Sequence, residues 1–152
     1  MPEKRTLERA RADKRRGKAA STQAGEFIRE QIRHIRQGRH GARSTKQAIA
    51  IGLSQARRAG VELRAPAAGR TSEQTRQRAA RDYARGHGAP ARRPHSTRRA
   101  RASENALKRE STAAASPAAL SRQARSTAAR RAPAERSAAA RHAARTRARH
   151  RH

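Results

Sequence analysis

The sequence predicts a mostly α-helical protein. The predicted fold contains a small αα-hairpin over about residues 22–60 and a weak third helix. We expect the remainder to be disordered, or helical only when bound. Apart from Tyr83, Leu107 and Leu120, the large apolar residues lie before residue 64, and many recur at helical spacing. The rest of the chain is rich in Ala, Arg and Ser. Such a segment buries too little apolar surface to offset the entropy lost on ordering.

The first three predicted helices cover residues 6–16, 21–38 and 44–60. The first carries a single large apolar residue, Leu7. In the second, the apolar stripe runs along one face and comprises Ile28, Ile32 and Ile35. The third has a similar stripe, made of Ile49, Leu53 and Ala56. A short loop joins these two segments, which therefore predict a hairpin of packed helices.

Local signals set the ends of the third helix and the closeness of its packing. Ser44 and Gln47 fit a capping box, and Gly60 fits a C-terminal cap. Gly52 costs helix stability, and a close approach by the other helix is a reason for it.

Composition divides the rest of the chain. Pro66 and Gly69 break the helical pattern, and residues 71–86 then predict a weak helix with Thr71 as a cap. The predicted organisation is a small helical module at 1–65, a linker plus weak helix at 66–86, and a basic low-complexity tail at 87–152. Within the tail, Ser116–Pro117 fits the start of a short helix, and Ser103 fits a cap.

Charge points to a class of partner. The chain has 39 Lys and Arg residues against 11 Asp and Glu, a formal net charge of +28. Only five of the basic residues are lysines, and arginine makes bidentate contacts with phosphate. Neutralising nucleic-acid phosphates releases condensed counterions, which favours binding without contact to bases. The charge therefore predicts nucleic acid as partner, with DNA favoured over RNA.

Catalytic, metal and cofactor sites are not predicted. A metal site drawn from His34 and His40, or from His142, His150 and His152, has no standard ligand spacing, and the chain lacks cysteine. Catalysis sought at Ser54, His34 and Glu30 lacks any recognised motif. We therefore expect no enzymatic activity, no cofactor and no metal. No apolar run approaches the roughly 20 residues of a membrane span, and the N-terminus is not that of a secretory signal.

The expected mode of binding is independent of base sequence. A helix-turn-helix could be drawn around the loop at 39–43, but only Gln47 and Gln55 in the third segment would suit base edges. Phe27 and Tyr83 are too few for a module that stacks bases. Two alternatives stay open: a ribosome- or RNA-associated protein, and a structural or stress protein that binds a protein partner through the hairpin. Homodimerisation through the hairpin is open as well.

The residues predicted to contact nucleic acid are basic and lie in the hairpin and the tail. In the hairpin they are Arg39, Arg43, Lys46, Arg57 and Arg58. In the tail they are Arg92, Arg93, Arg98, Arg99, Arg101, Arg122, Arg125, Arg130, Arg131, Arg136, Arg141, Arg145, Arg147, Arg149 and Arg151.

Residues 44–60, STKQAIAIGLSQARRAG, and the preceding STQAGEFIREQIRHIRQGRHGAR carry a resemblance. Together they resemble a family of small, highly basic bacterial proteins, a domain of unknown function, over roughly residues 1–65. That resemblance implies no particular activity. The tail is similar in composition to histone-like and linker-histone tails, which implies association with DNA. The expected location is therefore cytoplasmic and nucleoid-associated.

Overall fold

The computed structural model describes residues 1–90 and 96–149, and within them it is helical with no β-strand. The helices are α1 (Lys4–Arg15), α2 (Ala20–Arg36), α3 (Thr45–Arg58), α4 (Glu73–Gly86), α5 (Thr97–Arg109), α6 (Pro117–Ala129) and α7 (Pro133–Arg149). A 3-10 turn, Thr112–Ala115, precedes α6. The chain forms two compact units, Met1–Ser116 and Pro117–His152. The prediction of a mostly α-helical protein is confirmed.

Helices α2 and α3 pack on each other at the centre of the first unit. The Ser44 side chain caps α3 by accepting from Gln47 N at 3.2 Å, as the capping pattern predicts. A Cβ atom added to Gly52 would lie 2.8 Å from Ile28 Cα, so only glycine lets the two backbones come this close. This close approach confirms the interpretation of Gly52.

The two helices are not a separate hairpin module, which corrects the prediction. Helix α1 packs on α2, and α4 packs on α3. The first apolar cluster draws on several of these elements, with Ala10 from α1, Phe27 from α2, Ala56 from α3 and Val61 beyond it. Two short helices alone bury little area, so neighbouring elements are needed to enclose the core.

A second apolar cluster includes residues that lie far beyond the predicted module. Ile35, Ala42 and Ala48 pack with Ala114 and Ala115 of the 3-10 turn. Polar contacts hold this turn in place: Thr45 Oγ1 donates to the Ala114 carbonyl at 2.7 Å, and Arg36 Nε donates to the Ala115 carbonyl at 2.9 Å. The compact unit therefore extends to Ser116, past the predicted boundaries at residues 65 and 86.

The tail is helical over most of its described length, which corrects the expectation of disorder. Residues 97–109, 117–129 and 133–149 form α5, α6 and α7. Alanine has the highest helix propensity, and in these segments it outweighs repulsion between like charges. Helix α6 begins at Pro117, as the Ser116–Pro117 pair predicts, and α7 begins at Pro133. Ser103 lies inside α5 and does not cap it, contrary to prediction.

Candidate nucleic-acid interface

Helices α6 and α7 and the turn between them present an arginine-rich surface. None of the residues of the two helices is buried. All of the predicted contact residues that the structure describes here are exposed: Arg122, Arg125, Arg130, Arg131, Arg136, Arg141, Arg145, Arg147 and Arg149. Glu135 is the only carboxylate side chain in the sequence of this unit. The surface therefore carries a high density of positive charge with almost no internal compensation.

On α7, the arginines do not form a single stripe. Arg141, Arg145 and Arg149 follow one another at intervals of four residues, which places them along one side. Arg136 and Arg147 fall on another side of the helix. Positive charge thus surrounds α7. This arrangement suits contact with phosphates more than hydrogen bonding to base edges within one groove.

The first unit adds a smaller set of accessible basic residues. Arg98, Arg99 and Arg101 are exposed near the start of α5, and Lys46 is exposed in the first turn of α3. The N-terminal ends of helices favour anions, which adds to the attraction of phosphate at these positions.

Arg39 and Arg43 are exposed, but each lies close to a carboxylate. Arg39 Nη1 donates to Glu3 Oε1 at 3.0 Å, and Arg43 Nε lies 3.7 Å from Glu110 Oε1. Exposed pairs of this kind are worth little, so a phosphate can compete with the carboxylate for either arginine.

Arg57 is a structural residue and not a surface contact. It is 7% exposed, and its Nε donates to the Leu63 carbonyl at 3.0 Å. Burial lowers the pKa of its guanidinium, and the nearby Asp82 opposes that shift. The neighbouring Arg58 is half exposed and donates to Asp82 Oδ1 at 2.7 Å. The structure therefore removes Arg57 from the predicted interface and leaves Arg58 only partly available.

Carboxylates that the sequence analysis did not single out connect distant parts of the first unit. Asp82 accepts from the Ser54 hydroxyl at 2.7 Å, in addition to Arg58. Glu62 accepts from the Tyr83 hydroxyl at 2.6 Å and lies 2.8 Å from His87 Nε2. The Tyr83 hydrogen bond, followed by that of His87, lowers the pKa of Glu62. These contacts join residues more than 20 positions apart in the sequence, so no local sequence pattern predicts them.

Four side chains considered for reading or stacking bases, Gln47, Gln55, Phe27 and Tyr83, make contacts within the protein. Gln47 Oε1 accepts from the Arg43 backbone N–H at 2.7 Å, and Gln55 Oε1 accepts from Gln31 Nε2 at 2.9 Å. Phe27 is fully buried, and the Tyr83 ring stacks on His87 with ring centroids 4.0 Å apart. These four side chains are therefore committed to contacts within the protein.

The catalytic combination considered from the sequence is not assembled. Ser54 binds Asp82, whereas Glu30 and His34 lie beside Glu3. The His34 and His40 rings meet edge to face at 6.2 Å. The remaining residues that the sequence analysis named, Arg92, Arg93, Arg151, His150 and His152, lie outside the described residues.

Comparison with protein-family models, with curated proteins and with solved structures finds no match. The family resemblance of residues 1–65 accordingly stays a prediction. Within residues 1–90 and 96–149, no helix has the length and apolar character needed to cross a membrane.

Proposed function

We propose that this protein binds nucleic acid without sequence specificity, with duplex DNA as the preferred target and a nucleoid-associated role in the cytoplasm. Helices α6 and α7 make the principal contact. One observation carries the proposal: nine exposed arginines occupy residues 117–149, where the sequence holds a single carboxylate. Because these helices bury no residue, their side chains are available to a partner.

The internal contacts of Gln47, Gln55 and the two aromatic residues support the lack of specificity. Base edges are read by side-chain hydrogen bonds, and single strands are held by stacking. In the first unit, Gln47, Gln55, Phe27 and Tyr83 are all committed to internal contacts. The exposed arginines contribute charge, which positions a protein on phosphates and carries no base information.

The salt dependence of binding tests the proposal. For a footprint of about ten phosphates on duplex DNA, the slope of log K against log salt is about −9. The measurement is a titration of labelled duplexes of unrelated sequence at several salt concentrations. A slope near zero, or a preference above about a hundredfold for one duplex sequence, contradicts the proposal.

The preference for DNA is tested by competition. Unlabelled duplex DNA and folded ribosomal RNA fragments of equal phosphate concentration compete for the labelled complex at one salt concentration. We expect DNA to compete at least as well as RNA, because Phe27 is buried and the Tyr83 ring already stacks on His87. Much stronger competition by RNA would show that the preferred target is ribosomal or other RNA.

A further inference from the structure

Two carboxylates and an imidazole meet where the start of α1 approaches the last turns of α2. Glu3 immediately precedes α1, and Glu30 and His34 lie one turn apart on α2. Each of the three side chains offers one ligand atom, and these atoms all lie within 4.8 Å of one another. His34 Nε2 is 2.7 Å from Glu3 Oε1 and 4.0 Å from Glu30 Oε1. The cluster therefore joins two elements through groups that commonly bind metals.

Glu30 lacks a partner for one of its oxygens. Its side chain is 1% exposed, and Oε1 accepts from the Glu3 backbone N–H at 3.1 Å. The other oxygen, Oε2, is the one buried side-chain polar atom in the described residues that has no hydrogen-bond partner. A buried carboxylate oxygen that has lost water and gained no donor is costly. A cation would satisfy it if the Glu30 carboxylate bound the ion through Oε2 or through both oxygens.

Arg39 lies where such a cation would be coordinated. Its Nη1 is 3.0 Å from Glu3 Oε1 and 2.9 Å from His34 Nε2. With a proton on Nε2, His34 can donate to Glu3 but cannot accept from Arg39. Without that proton, His34 can accept from Arg39 but cannot donate to Glu3. A metal ion accepts electron pairs from both the imidazole nitrogen and the carboxylate, so it removes this conflict. The Arg39 side chain is 57% exposed and can move into solvent.

We propose that Glu3, Glu30 and His34 bind a divalent transition metal of the Zn²⁺ class, with displacement of Arg39. Two carboxylates balance the charge of the ion, and one imidazole favours Zn²⁺ over Mg²⁺ and Ca²⁺, which prefer oxygen ligands in larger number. Zn–N and Zn–O bonds of about 2.0–2.2 Å place ligand atoms roughly 3.4 Å apart in a tetrahedron. The distances of 2.7 and 4.0 Å lie on either side of that value. Small side-chain rotations would therefore form the site.

Two features leave room for the ion. Arg33 Nη2 donates to Glu3 Oε2 at 2.6 Å, so Arg33 can remain bound while Glu3 Oε1 faces the metal. The Glu3 side chain is about one-third exposed, so water can enter and fill the fourth coordination position. Displaced Arg39 would then be free of its carboxylate.

Titration of the full-length protein with Co²⁺, followed by displacement with Zn²⁺, tests the site. We expect one saturable equivalent per chain with the visible absorption of Co²⁺ in a low-coordinate site. His34→Gln and the isosteric Glu30→Gln should each weaken binding by about 100-fold or more, since even outer-shell changes cost 10–100-fold. The matched controls His40→Gln and His142→Gln should bind as the wild type does. No saturable binding in the wild type, unchanged binding in His34→Gln, or loss in His142→Gln overturns the proposal.

Two further variants keep the test decisive if a substitution on α2 prevents folding. Glu3→Gln alters a partly exposed residue outside any helix, and it should weaken metal binding and abolish the rise in melting temperature that Zn²⁺ gives the wild type. Arg39→Ala removes the competing cation and should bind Zn²⁺ several-fold more tightly. Equal affinity in Glu3→Gln, or weaker binding in Arg39→Ala, contradicts the site.

Discussion

Residues 1–116 contain 29 basic residues and ten carboxylates, whereas residues 117–152 contain ten arginines and one carboxylate, Glu135. In the first unit, carboxylates join elements that lie far apart in sequence, as Asp82 does with Arg58 and Glu3 does with Arg33. In the second unit, the described arginines are all exposed, on two helices that bury no residue or in the turn between them. The same residue type thus stabilises a tertiary structure in one unit and is available to a partner in the other.

The largest difference between the units should be in their response to loss of an apolar side chain. Phe27→Ala empties the centre of the first apolar cluster, and such changes cost about 3–5 kcal/mol. Leu120→Ala removes a half-buried side chain of α6 and should cost less than about 1.5 kcal/mol, the low end for full burial. Chemical unfolding followed by circular dichroism measures both. DNA affinity should change by less than about tenfold in either variant; a larger loss in Phe27→Ala would make the first unit essential for binding.

Two variants that lose the same number of arginines separate the effect of arginine position from the effect of total charge. One variant replaces four exposed arginines of α7 with glutamine: Arg141, Arg145, Arg147 and Arg149. The control replaces four exposed arginines on α1 or at its end: Arg5, Arg11, Arg15 and Arg16. Because each lost phosphate contact changes the salt slope by about 0.9, the α7 variant should lose about three to four units of slope and the control markedly less.

Affinity at one fixed salt concentration provides the second measurement for this pair. We expect the α7 variant to bind duplex DNA roughly 10–100-fold more weakly, and the α1 variant to lose markedly less affinity. Equal losses in the two variants would mean that net charge alone governs binding, and the contrast between the units would then have no functional meaning.

A single methyl group tests how tightly the first unit is packed. Gly52→Ala places a Cβ 2.8 Å from Ile28 Cα, a backbone atom that cannot rotate away. Overpacking of this kind costs about 1–3 kcal/mol. Gly25→Ala is the control, because its Cβ would meet only the end of the Arg29 side chain at 3.8 Å, and alanine favours helix by about 1 kcal/mol. We expect the melting temperature to fall in the first variant and to stay level or rise in the second.

The smallest expected effect is on the pH dependence of the stability of the first unit. His87 Nδ1 lies 2.8 Å from the Tyr83 carbonyl, and Nε2 lies 2.8 Å from Glu62 Oε1. Both partners are acceptors, so the ring satisfies both of them when both of its nitrogens carry protons. The bond to the Tyr83 carbonyl and then that to Glu62 raise the pKa of His87 above its ordinary value of 6.5. The stabilisation that protonated His87 gives the folded protein is therefore complete below pH 6.5. It is lost as pH rises through the higher pKa that His87 has in the folded state.

His87→Gln should flatten this part of the pH profile. Melting temperatures measured from pH 5 to pH 9 should decline more steeply in the wild type than in the variant above pH 6.5. His142→Gln, an exposed change on α7, should follow the wild type. Parallel profiles for wild type and His87→Gln would show that the contact adds nothing to the stability of the first unit.

Much of the helical structure follows from local sequence. The stripes at Ile28–Ile32–Ile35 and Ile49–Leu53–Ala56, the cap at Ser44 and the proline at residue 117 marked helices that the structure contains. Spacing and capping act over one or two turns, so they can be read without knowledge of the fold. The tail differs from the prediction because the helix propensity of its alanines outweighs its small apolar content.

The positive charge, the scarcity of aromatics and the positions of the central helices follow from the sequence alone. The tertiary structure sets which basic residues are accessible: it buries Arg57, pairs Arg58 with Asp82 and leaves Arg141 exposed. It also decided that Ala114 and Ala115 complete the second apolar cluster, and that Glu3 meets Glu30 and His34. Local sequence reports which conformation a segment prefers, whereas burial and long-range pairing depend on which segments come together, and that is a property of the whole folded chain.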